Sequence, residues 1–486
     1  MLYYLSNKDL SNCDIVDFDE DDRKYYVSYN SCYLTNEFLY YVKICNEFVF
    51  SFDFFEIVNL LRKNQEISLN IDVINFFVDK GYSPMDYTFI NGVYKLPNIT
   101  KMCIDKQSFG VFYKLNEYES KNNFTDVDIL KKSIYKCFTD NGRNVILFSG
   151  GFDSTLIALL GKLKYKKEQL ELVTTKFLGV DFEPNRIDIE YSKKIAEVLD
   201  LNFRIINVDI DAITSDELDE LIFIQPNTSH LSLLFYPVRD FYQRKNMDCT
   251  FISGQQADSI LNIGSTASLK YSSFKVEGLG ELFRRLFCLM NPCLSKIIFC
   301  LLNPFCSKKY YQLFRICGFK YLPWIKDENK YITYSRLYKA FVKRHYESRR
   351  ILSSFHLFYL YTHLSGSDAS GVLSFLSKNN YPLPFNDLRL VWHFVNKKYT
   401  FMDIITPKRP ILDLLKKHVE LWDILVDRPN TPNISGDMIF NKISIKLDLE
   451  KKYRLYAKEY GIPNNIPFNY QSFHIARCLD KIYSCK

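Results

Sequence analysis

The spacing of apolar and polar residues divides the chain into three parts. In residues 1–125, short apolar runs alternate with polar residues. Tyr25–Tyr29 and Phe48–Phe52 have the composition and length of β-strands. Ile71–Lys80 places apolar residues at helical spacing and is predicted to be a helix. The pattern therefore predicts a small β-rich or α+β domain at the amino terminus.

From residue 126 to residue 264, nearly continuous apolar runs alternate with segments of helical period. The predicted strands are Asn144–Phe148, Leu170–Leu178, Phe203–Val208 and Cys249–Ile252. The predicted helices are Asp126–Thr139, Asp153–Leu163, Asn185–Leu199 and Leu231–Lys245, with Pro237 the weak point of the last. Strands that alternate with helices predict a parallel sheet with right-handed crossovers. Residues 265–486 are predicted to be mainly helical.

Composition and charge exclude several classes of protein. The apolar fraction is 47% and the charged fraction 24%, which is typical of a folded globular chain. A net charge of +7 over 486 residues is weak for a nucleic-acid-binding protein, so no nucleic acid partner is expected. The 13 cysteines contain no C-x-x-C pair, and the first residues do not resemble a secretory signal. These features favour a cytoplasmic protein with reduced thiols.

One stretch imitates a membrane segment. Residues 286–306 are strongly apolar, but Lys296 and two Asn-Pro pairs interrupt them. A spanning helix needs about 20 predominantly apolar residues with few charges. We therefore expect buried helices joined by turns here, and no stable membrane insertion.

The segment between the first predicted strand of the sheet and the following helix carries the strongest chemical signal. It reads Ser149-Gly150-Gly151-Phe152-Asp153-Ser154-Thr155. Two glycines allow a sharp turn and a close backbone approach, and the helix start directs free N–H groups at an anion. Ser149, Ser154 and Thr155 add hydroxyl donors, and Asp153 is placed to hold Mg²⁺. The alternative is an ordinary glycine turn capped by Asp or Ser.

This segment resembles the S-G-G-x-D-S pyrophosphate loop of the N-type ATP pyrophosphatases. Residues 252–259 are similar to the S-G-E-G-A-D-E segment of the asparagine synthetase group, and residues 384–391 to its P-F-L-D-x-R-L-V signature. The resemblance runs from about residue 70 to about residue 440. It implies ATP and Mg²⁺ as cofactors, with the metal shared by Asp153 and Asp258. It also makes Asp387, in the late signature, a candidate catalytic residue.

The resemblance also implies a fold and a place for the nucleotide. The expected fold is α/β, with a parallel five-stranded-type sheet of the ATP pyrophosphatase (adenine nucleotide alpha hydrolase-like) kind and a helical carboxy-terminal extension. A small degenerate glutaminase-like α+β domain precedes the sheet. ATP would bind at the carboxyl ends of the strands, where Gly254 lies and where Thr175 is placed to contact adenine through the backbone.

The chain departs from the group at several positions. Residue 2 is Leu where a glutaminase carries its nucleophilic cysteine, so no glutamine hydrolysis is expected. Gln255, Gln256 and Ser259 replace Glu, Gly and Glu, and Gln255 is kept as a catalytic candidate. Residues 428–431 resemble the group's R-P-K-x-G, and Asn430 replaces the lysine that would stabilise the transition state of amide formation. Lys408 is the nearest surviving candidate for that role. The alternative is that Lys408 is an ordinary exposed lysine at the start of a helix.

Members of the group without glutaminase activity take the amine from the substrate, as the β-lactam synthetases and lasso peptide macrocyclases do. The sequence favours a lasso-type cyclase that adenylates a precursor peptide and closes an amide ring. Its expected partners are that peptide and a leader-processing protease. Three alternatives stay open: a related ligase for a small molecule or sugar, a degenerate ATP-binding scaffold, and an RNA-modifying member of the superfamily.

Overall fold

The structure is a computed structural model of the whole chain. It describes residues 2–4, 16–29, 38–45, 47–96, 100–115, 124–179, 185–229, 236–245, 247–261, 337, 383–397, 406, 408–429, 436–463 and 465–484. The apolar stretch 286–306, Asn430 and most of the predicted helical enclosure lie outside these residues.

Two four-stranded sheets form the amino-terminal part. Their strands are β1 (Leu2–Tyr4), β2 (Val16–Glu20), β3 (Lys24–Tyr29), β4 (Tyr40–Ile44), β5 (Glu47–Ser51), β6 (Val93–Lys95), β7 (Thr100–Asp105) and β8 (Val111–Leu115). One sheet has the order β1-β5-β4-β6 and the other β2-β3-β7-β8. The strands predicted at Tyr25–Tyr29 and Phe48–Phe52 are present, each displaced by one residue at one or both ends.

Alternation along the strands builds a core between these two sheets. Phe48 and Phe50 of β5 join Tyr113 and Met102 in one apolar cluster, whereas Val49 joins the main core on the opposite face. This alternation follows from the two-residue period of a strand. Helices α1 (Phe54–Asn64) and α2 (Ile71–Lys80) contribute to the main core, so the second face of the sheet is covered. Helix α2 has the predicted bounds.

The central part contains a parallel sheet with strand order β11-β10-β9-β12. Its strands are β9 (Arg143–Leu147), β10 (Leu170–Leu178), β11 (Asn202–Asp209) and β12 (Cys249–Ser253). All three pairings are parallel, which confirms the α/β architecture predicted for this region. The described residues contain four strands of this sheet, and a fifth stays a prediction, as do the domain limits at 125 and 264.

Helices connect and cover this sheet. They are α3 (Asp126–Lys136), α4 (Phe152–Lys164), α5 (Arg186–Val198), α6 (Ser215–Ile224), α7 (Tyr236–Arg244) and α8 (Ala257–Leu261). Sequence analysis did not predict α6, although Thr214 and Glu217 form a capping box at its start. The described part of α7 starts at Tyr236. Pro237 therefore lies in its first described turn, where a missing N–H costs little.

Several helices lie in the described residues of the carboxy-terminal part. They are α9 (Leu388–Asn396), α10 (Arg409–Leu415), α11 (Val419–Asp427), α12 (Gly436–Leu447), α13 (Leu449–Glu459) and α14 (Tyr470–Ser484). Helix α10 packs on α3 and α4, and α11 packs on α5, beside the start of the phosphate-loop helix. Among the described helices, none has the length and apolar character needed to cross a membrane.

Candidate functional site

The glycine-rich loop joins the carboxyl end of β9 to the start of α4. Gly150 has φ 66°, and a Cβ built on it would lie 2.7 Å from the Ser192 backbone nitrogen. Only glycine allows this combination of left-handed backbone and close approach to α5. Gly151 precedes α4, and no side chain caps the helix start. The first N–H groups of α4 are thus arranged as in an anion site.

The serines of the loop hold its shape. Ser149 N donates to Ser154 Oγ at 3.4 Å, and Ser154 Oγ donates to the Gly151 carbonyl at 3.2 Å. Gly151 N donates to Ser149 Oγ at 3.4 Å. Thr155 is fully buried and does not line the cleft described below. The structure therefore places Ser149 and Ser154 at the site but does not bring the Thr155 hydroxyl to it.

Three charged side chains from distant segments meet beside the loop. Lys408 Nζ lies 2.6 Å from Asp153 Oδ2 and 2.9 Å from Asp258 Oδ1. Asp153 follows β9 and Asp258 follows β12, which are neighbours in the sheet. Because the carboxyl ends of parallel strands meet at one edge, the two carboxylates predicted to share a metal come to one place. Lys408 was expected to act in the same reaction, and its ammonium group stands between them.

The backbone around Lys408 fixes the position of this ammonium group. Lys408 precedes α10 with φ 56°, in the left-handed region, and Pro410 lies in the first turn of that helix. Burial alone would lower the pKa of the Lys408 amine. The carboxylates of Asp153 and Asp258 outweigh that effect, so the net pKa is raised. The amine is therefore held in its charged form at neutral pH.

Asp153 and Asp258 are the residues that would hold the Mg²⁺ implied by the resemblance. Asp153 and Asp258 both contact one cationic atom, Lys408 Nζ, so their carboxylates already define a position for positive charge. Among the described residues, no group of three or more His, Cys, Asp or Glu side chains could hold a metal. Mg²⁺ in nucleotide sites is commonly bound by one or two carboxylates together with phosphate oxygens. The two carboxylates fit a metal of that kind.

A cleft of about 310 Å³ opens at the carboxyl edge of the sheet. Ser149, Asp153 and Ser154 of the loop line it on one side, and Thr174, Thr175, Ser253, Gly254 and Gln255 line it from the neighbouring strand ends. The volume is within the range of small-molecule sites. The structure thus brings Thr175, Gly254 and Gln255, three of the candidate site residues, into one cleft with the loop.

Two buried acceptors in the cleft wall bear on whether a nucleotide fits. The Asn185 side chain donates to the Thr175 carbonyl, which fixes the orientation of its amide. Its Oδ1 atom, like Gln255 Oε1, is buried without a hydrogen-bond partner among the described residues. A buried acceptor left unsatisfied costs about 1–3 kcal/mol. A ligand that carries donors, such as a nucleotide, would offset that cost.

The segment after β12 packs against the loop and contains a left-handed turn at Gln256. A Cβ on Gly254 would lie 3.0 Å from Asp153 Cβ, so glycine is needed for contact with the loop. Gln256 has φ 69°, a conformation that favours glycine, and the group has glycine at this position. Gln256 thus adopts a left-handed turn two residues before Asp258, at a position where the group has glycine.

Two other sequence candidates have different positions. Asp387 is buried at the start of α9, where its carboxylate accepts from Arg389 N and forms an ion pair with the Arg389 guanidinium at 2.7 Å. It does not line the cleft, and its contacts are those of a helix cap and ion pair. Asn430 lies outside the described residues, two positions beyond Arg428.

Sequence analysis did not assign a role to Asn185, Asp188 or Arg428. Asn185 and Asp188 line the cleft from the start of α5, and Arg428 contacts both Asp188 and the loop. Arg428 lies in the segment that resembles R-P-K-x-G, which was the available signal. Asn185 and Asp188 lie in no motif, and only the fold brings them to the loop.

Comparison with known proteins agrees with this geometry for the central region. Residues 127–272 match the model of the asparagine synthase family. The matched stretch contains the loop, Asp153 and Asp258, and it supports an asparagine synthetase-like ATP pyrophosphatase assignment for this part of the chain. Among curated proteins, no significant match is found.

Two solved structures show weak likeness. The NH3-dependent NAD synthetase from Campylobacter jejuni subsp. jejuni NCTC 11168, in complex with nitrate, is 17% identical with a TM-score of 0.20, covering 45% of this chain and 96% of its own. The U34-tRNA thiolase NcsA from Methanococcus maripaludis, with its 4Fe–4S cluster, is 13% identical with a TM-score of 0.22, covering 48% and 78%. At these TM-scores neither likeness adds weight to the fold assignment, which rests on the strand order.

Proposed function

We propose that the chain is an ATP-dependent, AMP-forming ligase that makes an amide bond. The observation that carries the proposal is the meeting of three parts at one edge of the parallel sheet, around Asp153, which also lines the cleft. These are a glycine-rich anion loop, two carboxylates from adjacent strand ends and the partly buried ammonium group of Lys408. The family match over residues 127–272 supports the same class of chemistry.

In the proposed reaction a substrate carboxylate attacks the α-phosphorus of ATP, and pyrophosphate leaves. The loop binds the departing pyrophosphate through the N–H groups at the start of α4. An amine then attacks the acyl-adenylate, AMP leaves, and the amine loses a proton. Lys408 supplies fixed positive charge beside these steps, in place of the lysine that Asn430 replaces. Mg²⁺, held by Asp153 and Asp258, would neutralise charge on phosphate oxygens.

We further propose that the amine belongs to the substrate, and that the substrate is a ribosomal precursor peptide cyclised as in lasso peptides. Support comes from the aromatic and basic composition of residues 265–400. Holding both reacting groups in one enclosed site gives high effective molarity and excludes water from the adenylate.

A ligase that acts on a small molecule or sugar is the second candidate. The described cleft of about 310 Å³ lies at the lower end of the range for small-molecule sites, so it favours a compact acyl substrate as readily as a peptide. A degenerate scaffold is motivated by Gln255 and by Asn430. The meeting of Lys408 with Asp153 and Asp258 favours the ligase over that scaffold.

The experiment incubates the full chain with ATP, Mg²⁺ and candidate precursor peptides cut to expose their amino terminus. Nucleotides are separated by chromatography, and peptides are weighed by mass spectrometry. We expect AMP with pyrophosphate and a peptide lighter by one water, ~18 Da, because one amide replaces an acid and an amine. ADP as product would contradict the ligase class, and AMP without peptide dehydration would favour the small-molecule ligase.

A further inference from the structure

The carboxyl end of helix α11 lies against the glycine-rich loop (Ser149–Thr155), here called the pyrophosphate loop. Arg428 Nη2 donates to the Ser149 carbonyl at 3.4 Å and forms an ion pair with Asp188 at the start of α5. One residue earlier, the Asp427 carbonyl accepts from Tyr191 Oη at 3.1 Å. The helix end is thus attached both to the loop and to the helix against which the loop packs.

Both glycines of the loop lie close to neighbouring groups. A Cβ on Gly151 would lie 3.9 Å from Arg428 Nη1, and a Cβ on Gly150 would collide with α5. The guanidinium group lies beside Gly151 and reaches the loop backbone at the Ser149 carbonyl. Its planar fork offers several donors at fixed angles, so one group can contact the Asp188 carboxylate and the Ser149 carbonyl together.

Arg428 is not among the residues that line the cleft, whereas Ser149 and Asp188 are. The guanidinium group therefore contacts two residues of the cleft wall without lining the cleft itself. Any effect of Arg428 on a bound ligand is transmitted through Ser149 and Asp188. The side chains of Arg428 and Asp188 are 17% and 21% exposed, so solvent screens their ion pair only in part.

We infer that Arg428 is a positioning residue for the pyrophosphate loop. This inference rests on the proposed ATP site and extends it. Through Asp188 and Ser149, Arg428 holds the loop in the conformation that directs its N–H groups at the leaving pyrophosphate. The adenosine end of the nucleotide, placed toward Thr174 and Thr175, does not depend on this contact.

Because Arg428 acts at the pyrophosphate end of the nucleotide and not at the adenosine end, its removal should change the affinity for some ligands and not for others. In Arg428→Ala, the dissociation constants of ATP and inorganic pyrophosphate should rise by about tenfold, whereas that of AMP should change by less than about twofold. Arg428→Lys keeps the charge but lacks the fork, so it should also weaken ATP and pyrophosphate binding. In an Asp188→Asn background, Arg428→Ala should add at most about twofold, because the two residues act as one unit.

The chain offers a matched control in Arg477, which forms an ion pair with Asp219 of α6. Its side chain and that of Asp219 are 15% and 24% exposed, close to the values for Arg428 and Asp188. Arg477→Ala should lower the melting temperature but leave the affinity for all three ligands within about twofold. A purely structural role for Arg428 would give the same result as this control.

The measurement is isothermal titration of each full-length variant with ATP, pyrophosphate and AMP in the presence of Mg²⁺. Should Arg428→Ala not fold, the lysine variant carries the test. Equal weakening of AMP, or unchanged pyrophosphate affinity, overturns the role of Arg428 while the ATP site stands. If the wild-type chain binds neither ATP nor pyrophosphate, the proposed function itself fails, and this inference with it.

Discussion

The position of Lys408 between two carboxylates can be tested by removing its charge. Lys408→Met keeps most of the side-chain volume but deletes the ammonium group that contacts Asp153 and Asp258. The contact with Asp153, whose side chain is 21% exposed, is expected to contribute about 2 kcal/mol. Asp258 is 55% exposed, so screening limits its contact to about 0.5 kcal/mol.

The variant should therefore be less stable than the wild-type chain by about 2.5 kcal/mol without divalent metal. At about 2 °C per kcal/mol, its melting temperature should fall by about 5 °C. With the ammonium group gone, the two carboxylates should bind Mg²⁺ more readily. Mg²⁺ at millimolar concentration should then restore at least half of the loss, because a ligand of the folded state stabilises it by mass action.

Thermal melting with and without Mg²⁺, in the absence of nucleotide, measures both effects. Lys417→Met, at an exposed lysine just beyond the same helix, is the control and should melt as the wild type does. Mg²⁺ should change the melting temperature of the wild type by less than about 1 °C. An equal response to Mg²⁺ in both proteins, or no loss of stability in the variant, would refute the reasoning.

Two further predictions concern backbone strain and pH. Gln256→Gly should raise the melting temperature by about 1–3 °C, because Gln256 holds a left-handed φ of 69° that costs about 1 kcal/mol; a lower melting temperature would show that the side chain stabilises the turn. Burial lowers the pKa of His474 to about 4 from its ordinary 6.5. Between these values the unfolded chain binds a proton that the folded chain does not. Stability is therefore complete above pH 6.5 and falls by up to about 3 kcal/mol toward pH 4. Across this pH range, the melting temperature of His474→Gln should fall less steeply with decreasing pH than that of the wild type. An equally steep fall would assign the acid sensitivity to other groups.

Much of the central fold follows from local patterns in the sequence. Helix Ile71–Lys80 and strand Leu170–Leu178 have the predicted bounds, because apolar periodicity and punctuation coincide there. Helix α6 was missed although Leu218, Leu221 and Ile222 have helical spacing and Thr214 caps its start. The loop was predictable because all of its residues are contiguous.

The rest of the site depends on long-range packing that no local pattern contains. Lys408 reaches Asp153 across 255 positions, and only the family resemblance pointed to it. The ion pair between Arg428 and Asp188 joins two helices that the sequence does not relate. Thr155 was predicted as a ligand from its motif, but it falls on the buried face of α4. Packing of the core against one face of α4 decides which hydroxyl groups at the start of that helix face the ligand.

The most direct test of the account is whether the cleft binds ATP. Thermal melting of the full chain, with and without millimolar ATP and Mg²⁺, should show stabilisation of about 2.7 kcal/mol when ATP is at 100 times its dissociation constant. Asp153→Asn should lose the Mg²⁺-dependent part of that gain. A wild-type melting curve unchanged by millimolar ATP would contradict the assignment of the Ser149–Thr155 loop as a phosphate site.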